Sequence, residues 1–205
     1  MSKAAASSPK GQQNALSSRD QLVAMAAKLF SVKGYNKTNM RELAESVGMK
    51  AGSIFYHFKG KEDILYAVMH HSISLLAEAV QREINETDTT QDRLRTLVRI
   101  ELESYLGEQS SFAMVLIHEW RNLPEEQQAK LLLMRGEYEA VWLTVLGDYH
   151  QAGMIKADPN IVRRMLNGAF SWVIHWYNSD GKYNLEQLVD EVMLMLVTEK
   201  ADSLP

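Results

Sequence analysis

The stretch MKAGSIFYHFKGKEDIL, residues 49–65, decides how the N-terminal part of this chain folds. Apolar residues spaced at i, i+3, i+4 and i+7 form one face of a helix, and in this stretch they are Ala51, Ile54, Phe55 and Phe58. The opposite face carries hydrogen-bonding and cationic side chains, namely Lys50, Ser53, Tyr56 and His57. We therefore expect a short helix that packs on a core and presents these polar groups to a partner.

Charge is distributed unevenly along the chain. Residues 1–61 contain ten lysine and arginine residues but only three acidic residues, a net charge of +7, whereas the remainder carries −11. The overall charge of −4 hides this difference. A basic N-terminal part beside an acidic remainder indicates that the first part binds nucleic acid. A basic face that is merely solvated is the alternative.

Composition indicates a cytoplasmic globular protein. The absence of cysteine excludes disulfides and thiolate metal sites and suits a reducing compartment. No apolar run approaches the roughly 20 residues of a membrane helix, and the N-terminus lacks the apolar stretch of a signal peptide. We therefore expect no membrane partner and no metal. Residues 1–17 are rich in alanine, serine and glutamine, which predicts a disordered arm.

Helix start and stop signals divide the next part of the chain into short helices. The first is predicted over residues 19–33 and ends at Gly34, which is suited to a C-terminal cap. Asn39 and Glu42 have the spacing of a capping box that opens a second helix. The stretch quoted above supplies the third helix, and a longer fourth helix follows over residues 61–83.

The remaining sequence also reads as helical. Beyond residue 86 the apolar spacing shows no strand-like alternation. Pro124, Asp158 and Asn184 mark helix starts, and Gly153 marks a helix end. The chain is therefore predicted to be all-α, with about nine helices.

Three short helices, the second and third joined by a tight glycine turn, are typical of a helix-turn-helix unit. The sequence AAKLFSVKGYNKTNMRELAESVGMKAGSIFYHFKGKEDIL resembles the DNA-binding domain of the TetR family of bacterial one-component repressors. The resemblance rests on the glycine after the first helix, ELAESVG, the aromatic pair before His-Phe, and the lysine that opens the fourth helix. It implies a helix-turn-helix DNA-binding domain at residues 18–66 and a larger ligand-binding and dimerisation domain at residues 67–205.

The resemblance places the start of the third helix against base edges in the major groove of double-stranded operator DNA. Gly52 costs a helix roughly 1 kcal/mol relative to alanine, which suits close approach of the backbone to DNA. A bidentate contact of Arg41 with guanine would contribute roughly 1–3 kcal/mol of discrimination, and a solvated arginine is the alternative. The family contacts phosphates from the positions of Tyr56, His57 and Lys61. The predicted DNA-contacting residues are Thr38, Asn39, Arg41, Lys50, Ala51, Gly52, Ser53, Tyr56, His57 and Lys61.

Two residues depart from the family pattern. Phe55 stands where the family often has tyrosine, so we expect Phe55 to lie mainly in the core. Lys50 stands where a small capping residue is usual, so the third helix gains a cation but begins with a weaker cap.

Residues 87–205 contain all four tryptophans, and the resemblance implies that this part holds an inducer pocket. Aromatic residues at helical spacing usually fill a core, so core packing is the alternative for each of them. The predicted pocket residues are Phe112, Trp120, Arg121, Trp142, Tyr149, Phe170, Trp172 and Trp176.

The sequence NGAFSWVIHWYNSDGKYNLEQLVDEV, residues 167–192, gives a narrower comparison. It resembles TetR-family regulators of fatty-acid and sterol catabolism that sense acyl-CoA thioesters. This resemblance implies a small hydrophobic inducer, with acyl-CoA favoured, and no permanent cofactor. Cations suited to the coenzyme phosphates are Arg121, Arg163 and Arg164, for which solvated or ion-paired arginine is the alternative.

A palindromic operator needs two reading helices about one DNA turn, roughly 34 Å, apart, so the resemblance implies a homodimer. The faces predicted to pair are Val162, Leu166, Phe170 and Val173, followed by Leu185, Leu188, Val192 and Met195. Both faces would equally suit packing within one subunit. Ligand would then favour a spacing of the reading helices that does not fit the operator, with the helix over residues 61–83 as the lever.

Other functions fit the sequence less well. An enzyme is disfavoured because the six histidines are scattered and no nucleophile motif or glycine-rich phosphate loop is present. A helical binding module that does not touch DNA leaves the basic first part unexplained. Within the regulator hypothesis, a flat aromatic compound that controls an efflux or detoxification gene remains the alternative ligand, and activation remains an alternative to repression.

Overall fold

The computed structural model describes residues 17–85 and 88–197, and over these ranges the chain forms helices and no strand. This confirms the predicted all-α class. The described residues contain nine α-helices, which are α1 Ser18–Lys33, α2 Met40–Ser46, α3 Ile54–His57, α4 Lys61–Glu83, α5 Thr90–Leu106, α6 Ser110–His118, α7 Glu125–Gln151, α8 Pro159–Trp172 and α9 Leu185–Leu196. Within the same ranges, short 3-10 turns at Trp120–Asn122 and Val173–His175 follow α6 and α8. None of the described helices is long and apolar enough to cross a membrane.

Capping residues set the first helices much as the sequence predicts. The predicted arm, residues 1–17, lies outside the described residues except for Ser17, whose hydroxyl accepts from the Asp20 amide and caps α1. Gly34 ends α1 with φ 87°, a left-handed value that favours glycine. Asn39 caps α2 by accepting from the amide of Glu42. The carboxylate of Glu42 pairs with Lys33 instead of completing the predicted capping box.

The third helix is shorter than its apolar spacing predicts. Residues 51–53 form a turn, and α3 spans only Ile54–His57. Ile54 and Phe58 are buried, but Ala51 and Phe55 are exposed. Two of the four predicted apolar-face residues are therefore buried. All four would lie on one face only if residues 51–58 formed a continuous helix.

The first hydrophobic core joins α1, α2 and α3 to the N-terminal half of α4. Leu22, Phe30, Leu43 and Ile54 are fully or almost fully buried in it. Phe112 and Val115 of α6 and Leu131 of α7 belong to the same core. The helix-turn-helix unit therefore packs directly on the rest of the protein, and its core continues past residue 66.

The second core joins α5, α7, α8 and α9 to the C-terminal end of α4, around the fully buried Trp142. Leu166, Phe170, Val173 and Leu188 are buried in this core. These residues had been predicted to pair with a second subunit, and their burial instead supports the alternative of packing within one subunit. The large apolar residues that α8 and α9 leave exposed are Ile161, Met165, Trp172, Leu194 and Met195.

Candidate nucleic-acid interface and ligand cavity

The turn before α3 and the outer side of α3 form an exposed surface. Lys50, Ala51, Gly52 and Ser53 are all exposed. Tyr56 is 90% exposed, so its ring and hydroxyl project from the molecule. Phe55 is 57% exposed, which shows that the expectation of a core position is wrong. This surface, residues 50–53 with Phe55 and Tyr56, is hereafter called the reading surface.

Three of the residues predicted to contact DNA lie before α3, and they differ in how accessible their side chains are. Arg41 is exposed and pairs with Glu45 at 2.7 Å, a surface pair that water weakens. Asn39 is exposed, but its side-chain oxygen is used as the cap of α2. Thr38 is only 1% exposed and its hydroxyl donates to the Gly34 carbonyl. Thr38 is predicted to add a contact to DNA, but its side chain is not available for one because it helps to fold the α1–α2 loop.

Lys61, at the start of α4, is tied to the α1–α2 loop. Its Nζ donates to the carbonyl of Tyr35 at 2.8 Å and to that of Thr38 at 2.9 Å. The ammonium also lies 4.1 Å from the centroid of the Tyr35 ring, a cation–π distance. Two of its three N–H donors are thus used within the chain, so the lysine positions the loop and has one donor left for a phosphate.

Glu119, more than 80 residues further along the chain, contacts the same loop. The amide of Tyr35 donates to Glu119 Oε1 at 3.0 Å, and Asn122 Nδ2 donates to the other carboxylate oxygen at 2.6 Å. Glu119 lies between α6 and the 3-10 turn Trp120–Asn122. This hydrogen bond links the C-terminal part of the molecule directly to the loop that precedes α2.

A cavity of about 670 Å³ lies between α4, α5, α6, α7 and α8. Its apolar lining comes from Ile73, Leu76, Leu116, Ile117, Trp120 and Leu132. Its polar lining comes from Glu101, Tyr105, His118, Arg121, Arg135, Tyr138, Arg163, Asn167 and Ser171. A larger groove of about 1350 Å³ runs outside, between α1, α4 and the start of α6. Of these two, the 670 Å³ cavity lies among the helices of the C-terminal part and combines an apolar wall with the buried polar groups Glu101, Tyr138 and Arg163.

Only two of the eight predicted pocket residues, Trp120 and Arg121, line this cavity. Trp142, Tyr149 and Phe170 are buried in the second core, and Phe112 lines the groove beside α1 instead. Trp172 and Trp176 are exposed on the surface. Six of the eight predicted residues therefore lie outside this cavity, because side-chain type does not reveal which face of a helix turns inward.

Buried ion pairs form the inner, polar end of the cavity. Arg163 is 4% exposed and Glu101 is 2% exposed. Arg163 Nε donates to Glu139 Oε2 at 2.7 Å, and Arg163 Nη2 lies 3.0 Å from Glu101 Oε2. Arg135 Nε donates to Glu139 Oε1 at 3.0 Å. Arg163 is therefore ion-paired inside the subunit and is not placed to meet coenzyme phosphates, whereas Arg121 and Arg164 are exposed.

Two aromatic residues complete this network. Trp142 Nε1 donates to the hydroxyl of Tyr138 at 2.8 Å, and that hydroxyl donates to Glu101. Burial, together with the nearby Glu101 charge, raises the pKa of Tyr138 well above its ordinary value, so the phenol stays protonated. Burial acts to raise the pKa of Glu139, but hydrogen bonds and charge from Arg163 and Arg135 outweigh it and lower that pKa. Glu139 is therefore ionised at neutral pH.

Comparison with known proteins decides the family. Residues 22–68 match the family described as bacterial regulatory proteins, tetR family. Residues 87–199, more than half of the chain, match the tetracyclin repressor-like C-terminal domain. The chain belongs to the TetR family. It is thus a TetR-type transcriptional regulator with a DNA-binding helix-turn-helix unit and a ligand-binding C-terminal domain.

Three relatives of this TetR-family chain span nearly the whole of it. The transcriptional repressor KstR2 of Mycolicibacterium smegmatis is 26% identical over 88% of this chain and 89% of its own. AibR, in a crystal structure with isovaleryl coenzyme A and operator DNA, is 25% identical in sequence, with a TM-score of 0.78. The match covers 87% of this chain and 97% of the AibR chain. The superantigen PfiT, in its crystal structure, is 42% identical in sequence, with a TM-score of 0.76. The match covers 91% of this chain and 98% of the PfiT chain. The chain is therefore similar to TetR-type regulators along both of its parts.

The sequence did not reveal the ion pairs beside the cavity of this TetR-family protein. It singled out Arg163 as a cation for a ligand, but the carboxylates of Glu101 and Glu139, with which Arg163 pairs, lie on two other helices. One local signal was present, because Glu101 interrupts an otherwise apolar face between Leu97 and Tyr105 at helical spacing.

We predict that Lys61→Ala lowers both the stability and the DNA affinity of the protein. Loss of two charge-assisted hydrogen bonds to the α1–α2 loop lowers the free energy of unfolding by about 2 kcal/mol. Because the loop precedes α2 and the change removes no base contact, operator and non-operator DNA both bind more weakly. Thermal unfolding and fluorescence anisotropy with labelled duplexes measure these two effects.

The matched control is Lys59→Ala, because Lys59 is exposed two residues away. This variant keeps native stability. If Lys61→Ala also kept native stability and lost only the salt-dependent part of its affinity, Lys61 would be a phosphate contact with no positioning role.

Proposed function

We propose that the protein binds a palindromic operator as a homodimer and is released from it by an acyl-CoA or a related lipid thioester. The observation that carries the proposal is the 670 Å³ cavity, which has an apolar wall at one side and buried polar groups at its inner end. An apolar pocket with a few converging polar groups is the usual form of a small-molecule site. The AibR complex, which contains both isovaleryl coenzyme A and operator DNA, supports this ligand class.

The exposed reading surface supports the DNA half of the proposal. A reading helix must bring small and hydrogen-bonding groups to base edges while cations meet the phosphates. Ala51, Gly52 and Ser53 are small and exposed, and Lys50 and Lys59 are exposed cations on either side of them. The +7 charge of residues 1–61 favours the approach of this face to DNA.

The size of the cavity sets how a thioester would be bound. Its volume suits an acyl chain with the thioester and adjoining pantetheine, while the coenzyme nucleotide would lie outside. Arg121 is exposed at the cavity and Arg164 is exposed on α8, so both remain available to the coenzyme phosphates. Leu132 is also exposed, which places an apolar edge beside the opening.

The route from the cavity to the reading surface runs through residues 117–121. Ile117, His118, Trp120 and Arg121 line the cavity. Glu119, in the middle of this segment, accepts from the Tyr35 amide in the α1–α2 loop. A ligand that moves this segment therefore changes the hydrogen bond that holds the loop before α2. The ligand shifts the equilibrium only by its differential affinity for the two states.

The exposed apolar residues of α8 and α9 supply the proposed dimer face. Ile161, Met165 and Trp172 follow one another at i, i+4 and i+11 on α8, and Leu194 and Met195 lie on α9. All five are more than half exposed. Large apolar side chains left exposed in number mark an interaction site when an assembly brings them together, and a twofold dimer is the commonest protein assembly.

We predict that the protein binds the DNA upstream of its own gene and that octanoyl-CoA or palmitoyl-CoA releases it. Anisotropy titrations with a labelled fragment measure binding, and free coenzyme A is the control for the nucleotide. Release by a flat aromatic dye but by neither thioester would favour the efflux-gene alternative. A protein that does not bind this fragment more tightly than unrelated DNA would contradict the proposed function.

We predict that Met165→Glu yields a monomer that loses operator affinity at least tenfold, because a buried unpaired carboxylate opposes association. Light scattering after size-exclusion chromatography measures the mass. Leu133→Glu is the control, since Leu133 is a large apolar residue on α7 that is exposed to a similar degree and lies outside the proposed face. A Met165→Glu protein that stays dimeric would place the interface elsewhere.

We predict that Glu119→Ala weakens coupling between the cavity and the operator. The variant lacks the acceptor for the Tyr35 amide. We expect it still to bind octanoyl-CoA, but the ligand then reduces operator affinity by a several-fold smaller factor than in the native protein. Glu119→Gln retains an acceptor oxygen and restores most of the effect. Calorimetry of ligand binding and anisotropy with and without ligand separate the two steps, with the exposed Glu125→Ala as control. Full ligand-induced release from Glu119→Ala would show that the signal takes another route.

A further inference from the structure

Phe55 is an apolar residue of the reading surface that the first core covers only in part. It is 57% exposed, whereas Ile54 and Phe58, at the start of α3 and just after its end, are buried and anchor the helix. A phenyl ring has no donor or acceptor with which to bind water or a phosphate. The anchoring of α3 therefore rests on the neighbours of Phe55, and more than half of this residue is free to contact a partner.

Gly52, three positions before Phe55, is not explained by the fold either. Its φ does not lie in the left-handed range, which among the described glycines is taken up by Gly34, Gly48 and Gly153. A Cβ atom built on Gly52 would meet no atom of the described residues within 4 Å, apart from its chain neighbours. Neither backbone conformation nor internal crowding therefore requires glycine at this exposed position. Close approach of another molecule to the backbone does account for it.

Tight backbone hydrogen bonds place Gly52 and Phe55 on the same side of the chain. The amide of Ser53 donates to the carbonyl of Lys50 at 2.9 Å, and the amide of Tyr56 donates to the carbonyl of Ser53 at 3.2 Å. Each of these bonds joins residues three apart, the 3-10 pattern in which positions i and i+3 eclipse each other. Gly52 and Phe55 are both exposed. A partner that approaches the bare backbone at Gly52 therefore meets the ring of Phe55.

We propose that Phe55 is a specificity-determining residue of the operator contact: its ring packs on the C5-methyl group of one thymine in each half-site, and Gly52 provides the clearance. The inference rests on the proposed function and names one element of the operator sequence. Thymine presents the only methyl group among the four base edges in the major groove. The polar edge of another base, or a phosphate, would lose hydration against a phenyl ring and gain no hydrogen bond in return.

The other members of the reading surface are suited to polar partners. Lys50 and the hydroxyls of Ser53 and Tyr56 donate hydrogen bonds, which phosphates and polar base edges accept. Ala51 is apolar and exposed, but its single methyl group reaches less far than a phenyl ring. Phe55 is therefore the residue of this surface whose chemistry matches a methyl group rather than a hydrogen-bonding edge.

The test removes the methyl group and nothing else. Duplexes with a randomised centre are selected on the full-length native protein, and the selected site is remade with deoxyuridine in place of each thymine in turn. Fluorescence anisotropy is expected to reveal one thymine per half-site whose replacement weakens binding about fourfold, the value of one buried methyl group, and about fifteenfold when both half-sites are changed. Equal affinity for the thymine duplex and every deoxyuridine duplex would overturn the inference and leave the proposed function standing. Failure of the native protein to select any sequence would contradict the proposed function itself.

Variants at position 55 test whether Phe55 is the group that contacts the methyl. Phe55→Ala is expected to bind the thymine and deoxyuridine duplexes with equal affinity, as in a double-mutant cycle between two contacting groups. The matched control, Tyr56→Phe, removes the neighbouring exposed hydroxyl and weakens both duplexes alike, so their affinity ratio keeps its native value. A native ratio in Phe55→Ala, in a protein with native thermal stability, would overturn the inference. If Phe55→Ala fails to fold, Phe55→Gln, which keeps a longer side chain without the ring, takes its place and is expected to lose the ratio likewise.

Discussion

The burial of α4 along most of its length is the constraint on which the rest of the structure depends. Its N-terminal half, with Ile64, Leu65 and Met69, belongs to the core of the helix-turn-helix unit. Its C-terminal end, at Val80, belongs to the core of the ligand-binding part. A continuous helix resists bending because its backbone hydrogen bonds run unbroken along the axis. A displacement at one end of α4 is therefore transmitted to the other, which supports the proposed coupling between the cavity and the DNA-binding unit.

The α1–α2 loop is where this coupling becomes specific. Lys61 holds the carbonyls of Tyr35 and Thr38, and Glu119 holds the amide of Tyr35. One contact comes from the first residue of α4 and the other from the segment that lines the cavity. The six residues between α1 and α2 are thus held by side chains from two other elements of the chain. Because α2 starts directly after this loop, small shifts at either contact alter the position of the helix-turn-helix unit.

A buried ion cluster joins three helices beside the cavity. Buried ion pairs often contribute little to the free energy of folding, because desolvation offsets their attraction. In this protein Arg163 of α8 pairs with Glu101 of α5 and with Glu139 of α7, and Arg163 and Glu101 line the cavity. Removal of one partner would leave an uncompensated buried charge, so the cluster holds these three helices in a fixed arrangement around the cavity.

The sequence by itself determined the helices, their caps and the family, because those signals lie within a few residues of one another. Asn39, Asp158 and Asn184 cap helices as predicted, and Gly34 and Gly153 take the left-handed values expected of helix ends. Only the tertiary structure decided which side chains face inward. It buried Thr38, Leu166 and Phe170, and it exposed Phe55, Trp172 and Trp176. It also brought Arg163 to Glu101, 62 residues away in the chain. Apolar spacing defines a helix face but not the element that covers it, and a buried pair between distant residues depends on packing that no local pattern records.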